Sequence, residues 1–238
     1  MNPINRRSFF GTAAASIAAI GLVGETASLA EAQLVYTKKD WKIEQFDQLA
    51  KNPARVKQVY DVVGVGEGKF LNNVKNSLNG FDIGWGIPKH NVKVAVGMHG
   101  PANMLNYDDT IWSKYGIGEW LKVDDPKTGK PATRNPYYAS KGGPNPKYSS
   151  QDPNSEDSLY QDTSIQALQS RGVVFMSCHT ADEEQARALV KHNSLSITPE
   201  ALVQEMLAHT VPGVLVVAAM VAAIALLQSE GHYSYIKI

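Results

Sequence analysis

Short apolar runs alternate with segments of helical spacing along most of the chain. Val59–Val63, Val92–Met98, Val173–Met176, Val214–Val217 and Tyr233–Ile236 read as five strands. Between the first two, Glu67–Leu78 places Phe70, Leu71, Val74 and Leu78 on one helical face. Ser164–Gln169 is a short predicted helix, ended by Gly172. Thr180 followed by Glu183 is a capping-box pattern and predicts a helix over Ala181–Val190. Thr198-Pro199-Glu200 is a second helix start, with a cap and a proline at the first position, for a helix running to about Ala208. Ala218–Gln228 is apolar and rich in small residues, as a helix packed closely on a sheet would be. Five strands mostly separated by helices predict a doubly wound α/β fold: a mostly parallel five-stranded sheet with helices on both faces.

Three stretches depart from this alternation. Asn5-Arg6-Arg7-Ser8-Phe9-Phe10-Gly11 leads into an apolar, small-residue run to Val23 and then to Ala30-Glu31-Ala32. A basic head, an apolar middle and a small-residue end form an export signal of the twin-arginine type over residues 1–32. The expected mature chain begins near Gln33, with a polar arm over 33–55 that holds a short helix near Ile43–Ala50, followed by the α/β domain at 56–238. Val123–Tyr160 contains six of the twelve prolines in 38 residues and no apolar period, which marks a long inserted loop. Its four tyrosines, Tyr137, Tyr138, Tyr148 and Tyr160, favour packing over a pocket or a neighbour rather than disorder. The third stretch, Val211–Leu227, is apolar for seventeen residues, near the lower limit for a membrane span. Pro212-Gly213 near its start favours a buried strand and helix instead, so no stable membrane span is expected.

Charge and cysteine content narrow the function classes. Twenty-three basic residues balance twenty-three acidic ones. Removing Arg6, Arg7, Glu25 and Glu31 with the signal leaves the balance at zero, which argues against a nucleic-acid partner. Export places the protein in the periplasm. There a single cysteine, Cys178, forms no internal disulfide and is expected to be buried, ligated, persulfidated or functional. No C-x-x-C-H motif is present for covalent haem attachment, and the spacing of Gly64, Gly66 and Gly68 fails the dinucleotide fingerprint.

The candidate chemistry lies just past strand ends. His99 follows the second strand and Cys178 the third, so both should face the crevice at the carboxyl edge of the sheet. A histidine beside a thiol makes it a better nucleophile. His99, Cys178 and His179 also suit zinc, copper or iron, and His99, His179 and Trp112 are candidates for holding a cofactor such as non-covalent haem. No particular cofactor is named by the sequence. Met98 and Met176 should point into the core. Asp108-Asp109 and Asp124-Asp125 read as solvated turns, and His90, His192, His209 and His232 as surface or core histidines.

Three segments carry a family resemblance. They are Val92–Ala102, a strand ending in His99-Gly100-Pro101-Ala102; Gly172–Thr180, a strand ending in cysteine; and Val211–Ile236, a strand, helix and strand. Together they resemble the DsrE/DsrF-like (YchN-like) superfamily over roughly Val59 to Ile238, interrupted by the long loop. The resemblance implies a small doubly wound domain, a homo-oligomer such as a trimer or hexamer, and a strand-end cysteine that carries sulfur as a persulfide, the place taken here by Cys178. A small sulfur compound or a redox partner would then be its correspondent. Two function classes follow. One is a periplasmic sulfur-handling or small-ligand-binding protein centred on Cys178 and His99. The other is a metal- or haem-binding oligomeric accessory protein without catalysis.

Overall fold

A computed structural model describes residues 41, 43–140, 143 and 145–238. The predicted export signal and the first residues of the arm lie outside these. Each of the five predicted strands is present: β1 (Val56–Val62), β2 (Val92–Met98), β3 (Val174–Cys178), β4 (Leu215–Val217) and β5 (Ser234–Lys237). All four pairings are parallel, in the order β4-β3-β2-β1-β5. The fold is doubly wound α/β, as the alternation predicts.

The order explains the layers. The chain steps outward from β1 to β4 and then crosses the whole sheet to lay β5 on the other side of β1. Right-handed crossovers in opposite directions place their helices on opposite faces. On one face, α2 (Lys69–Asn79) and α5 (Ile165–Ser170) bury Phe70, Leu71, Val74, Ile165 and Leu168 against Val62, Val96, Met98 and Phe175. Each fully buried side chain of this size contributes about 1.5–3 kcal/mol. On the other face, α1 (Ile43–Ala50) and α8 (Met220–Ser229) pack Leu49, Met220, Ile224 and Leu227 against Val59, Ala95, Met176, Cys178 and Val217. Met98 and Met176 are both core residues, on opposite faces.

A third cluster sits apart from the two faces. The aromatic-rich segment after β2 forms two short helices, α3 (Asp109–Lys114) and α4 (Ile117–Leu121). They pack with α6 (His179–His192) and α7 (Pro199–Ala208) around Tyr107, Ile111, Trp112, Ile117, Leu189, Leu202 and Met206. Asp108 caps α3 by accepting from Thr110 N at 2.8 Å, and its other oxygen lies 3.0 Å from His209 Nδ1.

The apolar run at 211–227 divides into β4 and α8, and no helix among the described residues is long and apolar enough to cross a membrane. The long loop holds no helix or strand in its described residues, yet it is anchored. Asn135 Nδ2 donates to Leu105 O at 2.8 Å and to Tyr107 O at 2.9 Å, and Tyr148 Oη donates to Asp162 Oδ2 at 3.1 Å. Val123 N donates to Gly118 O at 2.8 Å, where a Cβ on Gly118 would lie only 2.2 Å from Ala132 O. Glycine is what permits this contact between α4 and the start of the loop. Further on, Pro136 and Tyr137 of the loop wall a cavity of about 170 Å³ with Glu67 and Asp162.

Candidate functional site

Side chains alternate across a strand, so one face of a parallel sheet is fixed by register. Val59, Ala95, Met176 and Leu215 face α8, and two residues on, toward the carboxyl ends, stand Asp61, Gly97, Cys178 and Val217. His99 keeps the alternation past β2: its backbone is extended and its N–H donates to Val62 O at 3.0 Å. Tyr235 of β5 lies level with Val59 on the same face. The α8 face of the carboxyl edge therefore reads, strand by strand, Tyr235, Asp61, His99, Cys178. Neighbouring strands lie about 4.8 Å apart.

Asp61 is the hub of this row. His99 Nε2 lies 2.7 Å from Asp61 Oδ1, and Tyr235 Oη donates to Asp61 Oδ2 at 2.6 Å. The carboxylate oxygen requires the proton on Nε2, which leaves Nδ1 as the acceptor nitrogen of the neutral ring. The bond to Asp61 also pushes the Tyr235 hydroxyl above its ordinary pKa. The His99 side chain keeps 22% of its surface exposed and Asp61 14%, so the pair is sheltered but reachable.

Cys178 closes β3 and stands directly before α6, in extended conformation. Its Sγ accepts from the N–H of Met220, the first residue of α8, at 3.3 Å. The amino end of α8 thus points at the sulfur of the residue that precedes α6. Burial pushes the thiol pKa up; backbone N–H groups of Ala181 and Met220 oppose that shift and the Asp182 charge adds to it. The side chain of Met220 fits because position 97 is glycine: a Cβ there would lie 2.5 Å from Met220 Sδ.

Beside Cys178 lies a buried polar cluster that no sequence motif marks. Asn103 Oδ1 accepts from Cys178 N at 2.9 Å and from Ser177 Oγ at 3.0 Å. Asn103 Nδ2 donates to Asp182 Oδ1 at 2.5 Å, and Tyr107 Oη donates to the same oxygen. Gln185 donates to Gly100 O, tying α6 to the turn after His99. Burial pushes the Asp182 carboxyl up to about 7, against the hydrogen bonds from Tyr107 and Asn103 that lower it. Asp182 Oδ2 has no hydrogen-bond partner among the described residues.

The remaining predicted site residues are spread over other surroundings. His179, the first residue of α6, is buried with its ring edge-on to Trp41 at 5.2 Å between centroids, and Glu183 Oε1 lies 3.6 Å from its Nδ1. Burial lowers its pKa. Trp112 is fully buried in the third cluster, its indole N–H donating to Met104 O at 3.0 Å. Among the described residues, no three His, Cys, Asp or Glu side chains converge as a metal site. His99 and Cys178 are brought to one face and one edge, but each has its own bonded partner, Asp61 and Met220.

Asp61 is legible only indirectly, and its partner Tyr235 only from the strand order. An acid inside the otherwise apolar strand Val59-Tyr60-Asp61-Val62 is expensive unless paired, and that expense is the signal. Asn103 and Asp182 carry no such mark in the sequence. Comparison of the chain with protein-family models, with curated proteins and with solved structures yields no match.

Proposed function

We propose that this is an exported sulfur-handling protein in which Cys178 accepts a sulfane sulfur and carries it as a persulfide. One observation carries the reading: Cys178 Sγ accepts the N–H that opens α8 while Cys178 itself heads α6. Helix amino ends favour a sulfur anion, whether thiolate or persulfide. Burial shields that anion from bulk oxidants and keeps it from pairing with a second chain. The resemblance to DsrE/DsrF-like proteins and the Arg6-Arg7 segment support the same assignment and a periplasmic location. The outward face of α8, with Val221, Ala222, Ala225 and Leu226 exposed, supports a homo-oligomer.

In the loading step, the Cys178 thiolate attacks the outer sulfur of a hydropersulfide donor. The donor's S–S bond breaks and its electron pair leaves on the donor thiolate, which takes up the proton Cys178 has lost. No net oxidation occurs. The test is intact-protein mass spectrometry after incubation with inorganic polysulfide. Wild type should gain one sulfur atom, removable by reductant, and Cys178→Ser should gain none. A wild-type chain that stays unmodified, or that purifies with stoichiometric metal or a Soret band lost on replacing His99, defeats the reading.

A further inference from the structure

Carrying sulfur is half of a transfer, and the row on the α8 face contains parts for the other half. We infer that His99 is the general base that ionises a low-molecular-weight thiol taking the sulfur from Cys178, with Asp61 and Tyr235 as its positioning residues. This rests on the sulfur-carrier reading and adds the acceptor's chemical class and the residue that activates it.

The geometry carries the inference. Asp61 Oδ1 accepts from His99 Nε2 at 2.7 Å, which fixes both the tautomer and the ring plane. Tyr235 Oη donates to the other oxygen at 2.6 Å, so the carboxylate itself cannot rotate away. A nucleophile-activating histidine held by an oriented carboxylate is the arrangement that acyl-transfer triads use on unrelated folds. Here the sulfur at Cys178 occupies the next strand on the same face, and its persulfide is the electrophile. Cys178 is 5% exposed and the His99 side chain 22%, so access suits a slender thiol rather than a cysteine on a folded partner.

The step balances. His99 Nδ1 takes the proton of the acceptor thiol, and the resulting thiolate attacks the outer sulfur of the Cys178 persulfide. A new S–S bond forms, the old one breaks, and its electron pair leaves on Cys178. His99 returns the proton to that departing sulfur, which the Met220 N–H at the amino end of α8 has stabilised meanwhile. The products are a small hydropersulfide and the Cys178 thiol.

The experiment loads the full chain with inorganic polysulfide, removes the excess, and follows discharge into cysteamine by intact mass across pH. Circular dichroism of each variant controls for folding. His99→Gln should slow discharge by about 100-fold, the lower range for loss of a general base. Asp61→Asn should slow it by on the order of tenfold and shift the inflection of the pH profile. Tyr235→Phe, a change at a half-exposed side chain on an edge strand, keeps the fold and should move the inflection with a smaller loss. Loaded His99→Gln and Tyr235→Phe proteins that discharge with the wild-type rate and pH profile overturn the inference while leaving the carrier reading intact. A wild-type chain that never loads overturns both.

Discussion

Asp182 and Cys178 are joined through a single side chain. Asn103 Nδ2 donates to Asp182 Oδ1 at 2.5 Å, and Asn103 Oδ1 accepts from Cys178 N at 2.9 Å. The same amide therefore fixes the start of α6 to the end of β3. It also couples a buried carboxyl to the backbone that aims the sulfur.

The Asp182 carboxyl gives the protein a pH-dependent stability. Its folded-state pKa of about 7 lies above the ordinary value of 3.8, so the folded chain holds a proton that the unfolded chain has already released. The contribution of Asp182 to stability is therefore full below about pH 4, falls as pH rises toward 7, and levels off above it. Between pH 5 and pH 8 the loss should be roughly 3 kcal/mol. Urea unfolding at the two pH values should show it in wild type, and Asp182→Asn should flatten the profile. An equal slope in the variant assigns the effect to another group.

Gly97 sets how closely Met220 approaches the sheet. Gly97→Ala places a Cβ 2.5 Å from Met220 Sδ and 3.1 Å from its Cγ. The expected loss is about 1–3 kcal/mol from overpacking. Displacing Met220 also weakens the N–H bond to Cys178 Sγ, so alkylation of the native thiol should change along with the thermal midpoint. A normal midpoint with unaltered alkylation would mean that Met220 swings aside freely.

Gly118→Ala should be the more damaging glycine change. Its Cβ would meet the backbone of Ala132, at 2.2 Å from the carbonyl oxygen and 2.4 Å from the nitrogen, and backbone does not step aside. Limited proteolysis should then cut the 123–160 loop at least several-fold faster than in wild type. Resistance equal to wild type would show that anchors such as Asn135 and Tyr148 hold the loop without this contact.

Trp41 lies against His179, the residue after Cys178, while Phe46 and Leu49 of α1 belong to the cluster that buries Cys178. Trp41→Ala should speed iodoacetamide labelling of Cys178 several-fold with little change in circular dichroism. An unchanged rate would place access to the sulfur elsewhere.

The strands were readable because parallel strands buried on both faces are written as β-branched apolar runs, as in Val92–Met98. Their ends were less so. β1 begins at Val56, three residues before the apolar run, because Lys57 and Gln58 pair in the ladder while their side chains reach Asn52 O and Ser77 Oγ. α6 begins at His179, and the expected cap Thr180 instead donates to Ala218 O at 2.9 Å, because β3 feeds the helix with no intervening turn. The site was half legible. Residue type and strand-end position single out His99 and Cys178. Asp61, Tyr235 and Asn103 depend on which strands are neighbours, and strand order follows from the packing of the whole chain. Trp112 reads as a cofactor contact in the sequence but fills the third cluster, because an aromatic-rich segment has the same composition whether it lines a crevice or fills a core.

The sheet order also dictates when the molecule can be finished. β1 pairs with β5, and Tyr233 Oη donates to Leu49 O at 2.8 Å across 184 positions of sequence. Loop closure over such distances is slow, because chain entropy is lost before contacts repay it. During synthesis, β1 stays an open edge until Ser234–Lys237 emerges to cover it. Asp61 gains its Tyr235 partner in that same event. β5, the last of these five strands to emerge, thus brings both the cover for β1 and the histidine's support, and a chain caught before that point lacks the two together.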